Sequence, residues 1–464
     1  MHYDVLLQII KFRTKNFIQM PTDIVVRKGL SLKLKGEAVL ETEDLKNSSD
    51  YSIYPSDFHG IYPKLVVKEN DLVKAGDIIF YDKNSESVKF VTPVSGNIKE
   101  IVRGERRRVL EIKIKSDQKE SYRKLSKISD SNPDEIINFM LDSGLWPFIK
   151  QRPYDIIADP NLSPKEIFIS GFDSAPLSAN YDYTTAEQKK NIKTAIDYLS
   201  KLTNGGINVS IRKNSQSFLR ELNNINICNV SGPHPSGNLS TIINKISPIN
   251  KGDVVWTINL PDLVIIGNAI LNGKYDPERI IAISGSSIEN PKYIKTKIGS
   301  SVSSFLKITN KNSRIISGNI LTGSKLDISG HLRHYDNEIS VIPEGDDYDL
   351  FGWAKPIFDK FSFSRALTFS WLFPNKKYDL NTNTNGEHRA FVVTGSFEQV
   401  FPLDIYPMQI LKACMYNDLD EMEALGMYEV SPEDFALTEF ICVSKQPHQD
   451  IIRNGLDLMK KEIG

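Results

Sequence analysis

From Asp23 to about Lys115 the apolar positions come in short runs broken by turn residues. Asp23-Ile-Val-Val-Arg27, Lys64-Leu-Val-Val-Lys68, Asp77-Ile-Ile-Phe-Tyr81, Val88-Lys-Phe-Val91 and Val109-Leu-Glu-Ile-Lys-Ile114 read as strands, separated by Ala75-Gly76, Asp82-Lys-Asn84 and Pro93-Val-Ser-Gly96. This is the pattern of a small all-β module. The period changes at Asn132-Pro-Asp-Glu135. Asn132 suits an N-cap, Pro133 the first turn, the two acids the positive helix end, and Ile136, Ile137, Met140 and Leu141 form a stripe that Gly144 ends.

From Lys165 to Gly285 strand and helix patterns alternate. Ile167-Phe-Ile-Ser170, Ile207-Asn-Val-Ser-Ile211, Ile225-Asn-Ile-Cys-Asn-Val230, Val254-Val-Trp-Thr-Ile258 and Arg279-Ile-Ile-Ala-Ile283 are buried-type strands. Thr185-Ala-Glu-Gln188 reads as a capping box before Ile192, Ala195, Ile196, Leu199 and Leu202 at helical spacing. Such alternation predicts a mostly parallel sheet with flanking helices. Tyr293 to Val341 returns to short strands with Gly and Ser turns. From about Pro402 the pattern is helical and acidic, and Ser431-Pro-Glu-Asp434 is a further helix start.

Composition narrows the picture without changing it. The 464 residues include 57 basic and 58 acidic side chains, a formal net charge of -1. That balance supplies no broad positive field, so nucleic acid is not an expected partner. The run Arg103-Gly-Glu-Arg-Arg-Arg108 reads as a solvated hairpin or a docking patch. Cys228, Cys414 and Cys442 lie far apart, with no CxxC spacing, and are expected to be buried thiols. No apolar run approaches the roughly 18–20 residues that span a bilayer. The first residues lack a signal-peptide core and cleavage site, and Met20 is an alternative start to Met1.

Candidate chemistry is sparse. Glu69-Asn-Asp-Leu-Val-Lys-Ala-Gly-Asp-Ile78 followed by Thr92-Pro-Val-Ser-Gly96 is similar to a biotinyl/lipoyl-type barrel, with Asn70 in place of its first glycine. Lys83 and Lys89 lie between those segments without the context of a modified lysine, which favours a scaffold. No GxGxxG or GxxxxGK[ST] follows any strand, so no dinucleotide or P-loop fingerprint is present. Ser231-Gly-Pro-His-Pro-Ser-Gly-Asn238 does join a strand to an amphipathic stretch. It is either a tight connection with a surface histidine, or a rigid loop whose N–H groups and titrating His234 meet a ligand or another subunit. Gly232, His234, Ser236 and Gly237 are its candidates, joined by His331 and Tyr335 from Gly330-His-Leu-Arg-His-Tyr335. His331 and His334 read as turn residues rather than half of a metal site. Glu344-Gly-Asp-Asp-Tyr-Asp349 does not fit an EF-hand. The aromatics between Phe358 and Phe373 read as core or as a subunit interface.

Several segments in order extend this reading. Arg27-Lys-Gly-Leu-Ser-Leu32, Asp57-Phe-His-Gly-Ile-Tyr-Pro-Lys64, the Ser231–Gly237 loop, Arg314-Ile-Ile-Ser-Gly-Asn-Ile-Leu-Thr-Gly323, Tyr335–Gly345 with Phe351-Gly-Trp353, and Asp434–Cys442 with Asn454–Leu458 resemble the A-subunit family of Na+-translocating NADH:quinone oxidoreductases. The resemblance implies an α+β multidomain chain. Its parts would be an N-terminal extension (1–22), a biotinyl/lipoyl-like β-barrel (23–125), a Rossmann-like α/β domain (126–290), an SLBB-like β-grasp module (291–400) and a C-terminal helical domain (401–464). The family is similar in plan to the FMN-binding subunit of respiratory complex I and the C-subunit of the Rnf complex, where the helical end carries Fe–S ligands. Here Cys414 and Cys442 stand alone in that region.

What this implies is a peripheral subunit on the cytoplasmic face of the bacterial inner membrane, in a translocase that oxidises NADH, reduces a ubiquinone or menaquinone and exports Na+. NADH, FAD, FMN, riboflavin, Fe–S and quinone would be handled through the other subunits, which are its expected partners. No metal, catalytic residue or covalently bound cofactor is expected in this chain. Quinone is a candidate ligand at Gly232, His234, Ser236, Gly237, His331 or Tyr335, or along the aromatic segment. The alternatives are a non-redox ligand-binding scaffold and an Rnf-type electron-transfer subunit.

Overall fold

The computed structural model describes residues 21–45, 48–117, 119–128, 132–345, 350–352, 360–365 and 370–464. Most of the N-terminal extension, including Met20, lies outside them, as do 346–349 of the acidic loop and Trp353, Phe358 and Phe369 of the aromatic readings.

The centre is a seven-stranded sheet ordered Thr22–Val25, Asn226–Ser231, Ile207–Arg212, Ile167–Ser170, Val255–Asn259, Lys150–Arg152, Ile156–Ile157. The first five strands run parallel and the last two antiparallel. The central strand Ile167–Ser170 is buried along its whole length because helices cover both faces of the sheet. Helix Lys189–Leu199 turns Ile192, Ala195, Ile196 and Leu199 inward and packs on helix Leu260–Asn272. Gly267 permits that approach, since a Cβ there would lie 1.9 Å from the Asn191 carbonyl oxygen.

The barrel is built from a four-stranded sheet (Asp50–Ile53, Val109–Ser116, Gly96–Arg103, Leu72–Val73) and a three-stranded one (Pro63–Leu65, Ile78–Asp82, Ser85–Val91). Phe80 stacks on Phe90 between them, with centroids 4.5 Å apart. Asn70 takes φ +70°, the left-handed conformation that asparagine tolerates better than most residues. The Arg103–Arg108 run forms the exposed tip of a hairpin, and Lys89 pairs with Asp142.

A six-stranded mixed sheet follows: Ser324–Leu326, Ser313–Ser317, Glu338–Pro343, Glu278–Ser284, Lys292–Lys297, Val39–Asp44. The last domain is helical, with Pro407–Tyr416 packed against His448–Glu462. One core joins the barrel to one face of the central sheet through Trp146, Trp256 and Ile167. A second joins the other face to the helical domain through Phe168, Val230, Phe401 and Phe435.

Three local expectations change. Asp23–Val25, expected in the barrel, pairs in parallel with the strand that ends at Ser231 and forms the edge of the central sheet. Arg279–Ile283, expected in the α/β domain, belongs to the six-stranded sheet. Both readings failed because a short strand's own sequence, exposed at Val25 or buried at Ile281 and Ile283, carries no mark of which sheet it joins. Thr185 does not cap the following helix. Its hydroxyl donates to the Tyr181 carbonyl, closing the short helix Tyr181–Thr184. The starts at Asn132 and Ser431 are as expected: Asn132 Oδ1 accepts from the Glu135 N–H, and Ser431 and Asp434 cap each other.

Candidate functional site

The order of the central sheet reverses between Ile167–Ser170 and Val255–Asn259, where Ser170 lies beside Asn259. In open α/β sheets a crevice forms outside the carboxyl ends of strands at such a reversal. A cavity of about 470 Å³ opens there. The α/β domain supplies Arg152, Asp173, His234 and Asp262. The six-stranded domain adds Tyr335 and Glu338, and the helical domain Glu433 and Arg453.

The Ser231–Asn238 loop forms one wall. His234 is 6% exposed, so it is not a surface residue. Its Nδ1 lies 3.0 Å from the Ser174 hydroxyl, which accepts the Gly237 N–H at 2.8 Å. That hydroxyl can still donate to Nδ1 or accept from it, so the loop holds the ring by a bond that either tautomer can make. Burial pushes the His234 pKa down to about 4. The expected titration near neutrality is thereby corrected: a buried imidazole without a carboxylate partner stays neutral. Gly237 also lines the cavity. Ser236 turns back to the Gly232 carbonyl at 3.2 Å. Gly232 has φ +132°, and a Cβ there would come within 2.1 Å of the Val26 carbonyl oxygen. These two shape the loop rather than face the space.

Opposite lies Tyr335, whose hydroxyl donates to the Pro147 carbonyl at 2.7 Å and whose ring sits 4.3 Å from Lys150 Nζ. His331 is elsewhere. It meets Tyr54 at 3.3 Å and Glu111 at 3.3 Å, joining the six-stranded domain to the barrel. Against its burial, hydrogen bonding led by His331 holds the Glu111 carboxyl down at about 2. His334 stacks on Phe148, with centroids 4.8 Å apart. The two histidines thus diverge. Among the described residues no group of three or more His, Cys, Asp or Glu is arranged to hold a metal.

The charged lining escaped sequence reasoning. Arg279 and Asp262 form an ion pair at 2.9 Å, with side chains 2% and 1% exposed, and Arg279 also bonds Asn337. Burial raises the Asp262 carboxyl to about 6 even with Arg279 drawing it down. Arg152 reaches Asp155 at 3.1 Å and Glu433 at 3.2 Å, and Arg453 reaches Asp155 at 3.1 Å. Burial raises the carboxyls of Asp173 and Glu338, and the charge of Asp173 raises Glu338 further. One signal was visible: Asp262 interrupts the apolar run Pro261–Leu271, where an unpaired acid would be costly.

A second cavity, of about 640 Å³, lies on another side, between the barrel, the antiparallel edge of the central sheet and the last helix. Its walls include Ile61, Val88, Tyr154, Ile157 and Leu162. Lys251, Lys460 and His59 stand at its rim, where His59 Nε2 meets Asp457 at 2.7 Å, and the buried Asp82, which accepts from the Tyr62 and Asn84 N–H groups, is part of its wall. The thiols are remote from ligand chemistry: Cys228, Cys414 and Cys442 are free and buried, and burial raises Cys228 to about 11 and Cys414 to about 12.

Comparison with known proteins finds three domains of one family in chain order. Residues 24–117 match the NqrA N-terminal barrel-sandwich hybrid domain, 131–275 the NqrA second alpha/beta domain, and 280–327 the NQRA C-terminal domain, the SLBB module. Over 444 residues the chain is 32% identical to the Na(+)-translocating NADH-quinone reductase A-subunit of Marinomonas sp. (strain MWYL1), covering 94% of this chain and 99% of that one. It is 33% identical over 446 residues to the protein of the same name from Neisseria meningitidis serogroup B, covering 95% and 100%. The Hahella chejuensis protein of that name is 33% identical over 447 residues, again covering 95% and 100%.

Proposed function

Because the chain belongs to the A-subunit family of the Na(+)-translocating NADH-quinone reductases, we propose that it serves that complex as a peripheral scaffold. Among its described residues no helix is long and apolar enough to cross a membrane. Hydride transfer, flavin chemistry and sodium movement fall, in this reading, to partner subunits carrying FAD, FMN, riboflavin and Fe–S centres. The chain would sit on the cytoplasmic face of the membrane.

The observation that carries the reading is the crevice at the sheet reversal. Its walls come from three domains, and Arg152 ties the α/β domain to Glu433 of the helical domain. The cleft that suits a nucleotide in related folds is thus crossed by fixed ion pairs, which favours a rigid docking body over a redox site. The test is capture of the detergent-solubilised complex through this chain. Recovery of the membrane flavoproteins, together with a purified chain free of flavin and Fe–S absorbance, is the expected result. A chromophore in the isolated chain would instead support an Rnf-type electron-transfer role.

For quinone, we favour the second cavity over the His234 loop. An isoprenoid quinone needs an apolar channel with a polar head position, and Ile61, Val88, Ile157 and Leu162 with His59 at the rim suit that better than the charged walls around His234 and Tyr335. A photoreactive quinone analogue added to the whole complex should label Tyr154, Ile157 or Leu162. Labelling within 232–237 would restore the loop as the site.

A further inference from the structure

One surface is used by neither cavity. The single turn Ser370–Leu372 carries Trp371, Leu372 and Phe373 outward, 60%, 51% and 56% exposed. Three adjacent large apolar side chains this exposed are unusual on a folded surface and mark an interaction site. Immediately after them the chain runs Pro374-Asn-Lys-Lys-Tyr378 and pairs with the strap at Leu34: the Lys35 N–H donates to the Tyr378 carbonyl at 2.9 Å, and the Tyr378 N–H donates to the Lys33 carbonyl at 2.8 Å. The strap alternates. Leu32 and Leu34 are buried, and Lys33 and Lys35 point out. Lys33 Nζ bonds the Pro374 carbonyl at 3.3 Å and Asn375 at 2.7 Å, which fixes it beside the aromatic turn. Lys376 and Lys377 complete the rim, Lys377 reaching Glu37 at 3.1 Å. Four lysines therefore flank the three apolar side chains, against the two carboxylates Glu37 and Asp379.

We propose that the Trp371-Leu372-Phe373 turn and its lysine rim contact an anionic lipid bilayer surface. The composition discriminates between partners. Protein interfaces enrich Trp and Phe but deplete lysine. A bilayer interface takes both, with aromatic rings at the headgroup level and lysines near the anionic surface. A single turn cannot anchor a chain of this size on its own, and its contact adds to whatever holds the chain in its complex. The geometry also sets the orientation: the edge formed by the strap and the 370–378 segment faces the membrane.

The test uses the purified full chain with extruded vesicles, either pure phosphatidylcholine or phosphatidylcholine with a third phosphatidylglycerol. Co-sedimentation with the anionic vesicles at low salt, weakened by added salt, is expected. W371A/F373A should reduce it at least about tenfold. K376E/K377E should reduce it about 25-fold, taking about fivefold for each lysine near the surface. In a W353F background, bromine-labelled lipid should quench the fluorescence of Trp371, because Trp146 and Trp256 are buried in the core. W371F should lose that quenching while keeping sedimentation. W371A/F373A should leave the melting temperature unchanged, since its side chains are exposed, and K376E/K377E, which loses the exposed Lys377–Glu37 pair, should lower it only slightly. Absence of sedimentation with anionic vesicles overturns the proposal, as does equal sedimentation of wild type and both double variants. A wild-type dimer that W371A/F373A converts to monomer also overturns it, assigning the surface to a second copy of the chain.

Discussion

The two cavities border the same sheet and are built in opposite ways. At the sheet reversal the walls carry buried charge: Arg152, Asp262 and Glu338 are all less than about a tenth exposed and are held by partners from other domains, Asp262 by the buried Arg279. At the antiparallel edge the walls are mostly apolar; one buried carboxylate, Asp82, is held by backbone N–H groups, and the other charges stay towards the rim, where His59 and Asp457 are 39% and 47% exposed. Buried ion pairs are costly to form and costlier to break, while exposed ones contribute little. The first cavity is therefore a joint whose polar groups fix the domains. The second is a groove whose polar groups remain available to something that enters it.

The largest expected effect breaks the joint. Arg279→Met leaves Asp262, 1% exposed, without its cationic partner, and by analogy with other broken buried pairs it should cost about 3–5 kcal/mol. Urea unfolding, followed through the buried Trp146 and Trp256, reads that loss. Adding Asp262→Leu should return most of it, since an apolar pair of similar volume leaves no orphan charge. If the single variant unfolds at the wild-type midpoint, the pair does not hold the domains.

Next comes pH, where two groups of the same cavity pull in opposite directions. His234 is depressed to about 4 from its ordinary 6.5, so the folded state binds fewer protons than the unfolded one between those values. Its contribution is present above about 6.5 and is lost as pH falls towards 4, about 3 kcal/mol in all. Asp262 is raised to about 6 from 3.8. Its contribution is present at low pH and is lost as pH rises through 6, by a similar amount of about 3 kcal/mol. Relative to wild type, His234→Asn should therefore gain stability on acidification from pH 6.5 to 4, and Asp262→Asn should lose it. Equal slopes for both variants would mean that neither group is held as the structure places it.

The contrast between the cavities also marks what the sequence made legible. The sequence marks the loop around His234 as a shaped connection, because glycines and prolines follow a strand, but leaves open whether a ligand meets it, and it offers Tyr335 only as a candidate. The structure brings both to one cavity. The carboxylates and arginines opposite them were not readable. Asp262 and Arg279 are 17 residues apart, and Arg152 and Glu433 are 281 apart, so only the folded chain pairs them. His331 was misgrouped for the same reason: it is four residues from Tyr335, but its backbone neighbourhood faces the barrel. At the level of the fold, helix starts with side-chain caps were legible at Asn132 and Ser431. Strand partnership was not, as the positions of Asp23–Val25 and Arg279–Ile283 show. Capping is local chemistry, whereas partnership is decided by distant segments.

A backbone substitution of intermediate effect separates shape from chemistry in the loop. Gly232→Ala places a methyl on the Val26 carbonyl oxygen at a φ that alanine avoids. A cost of about 2 kcal/mol is expected from strain and from loosening the edge strand. Hydrogen exchange should show it first at the Val26 amide, which donates to the Ser231 carbonyl at 2.8 Å. Faster exchange confined to the other edge of the sheet would contradict this placement.

The smallest effect on stability tests the groove itself. Leu162 is 42% exposed on its wall, so Leu162→Lys should shift the unfolding free energy by less than about 0.5 kcal/mol. A charge there would nevertheless oppose entry of an isoprenoid chain, because the apolar wall is what such a chain would gain from. In the whole complex the KM for a long-chain quinone should rise several-fold, while NADH oxidation with a small water-soluble acceptor stays at the wild-type rate. The equivalent intrusion on the other side, Thr322→Lys in the charged cavity, should leave the quinone KM unchanged. An unchanged KM in Leu162→Lys, or a raised one in Thr322→Lys, would reverse the assignment and make the charged joint the site of ligand entry.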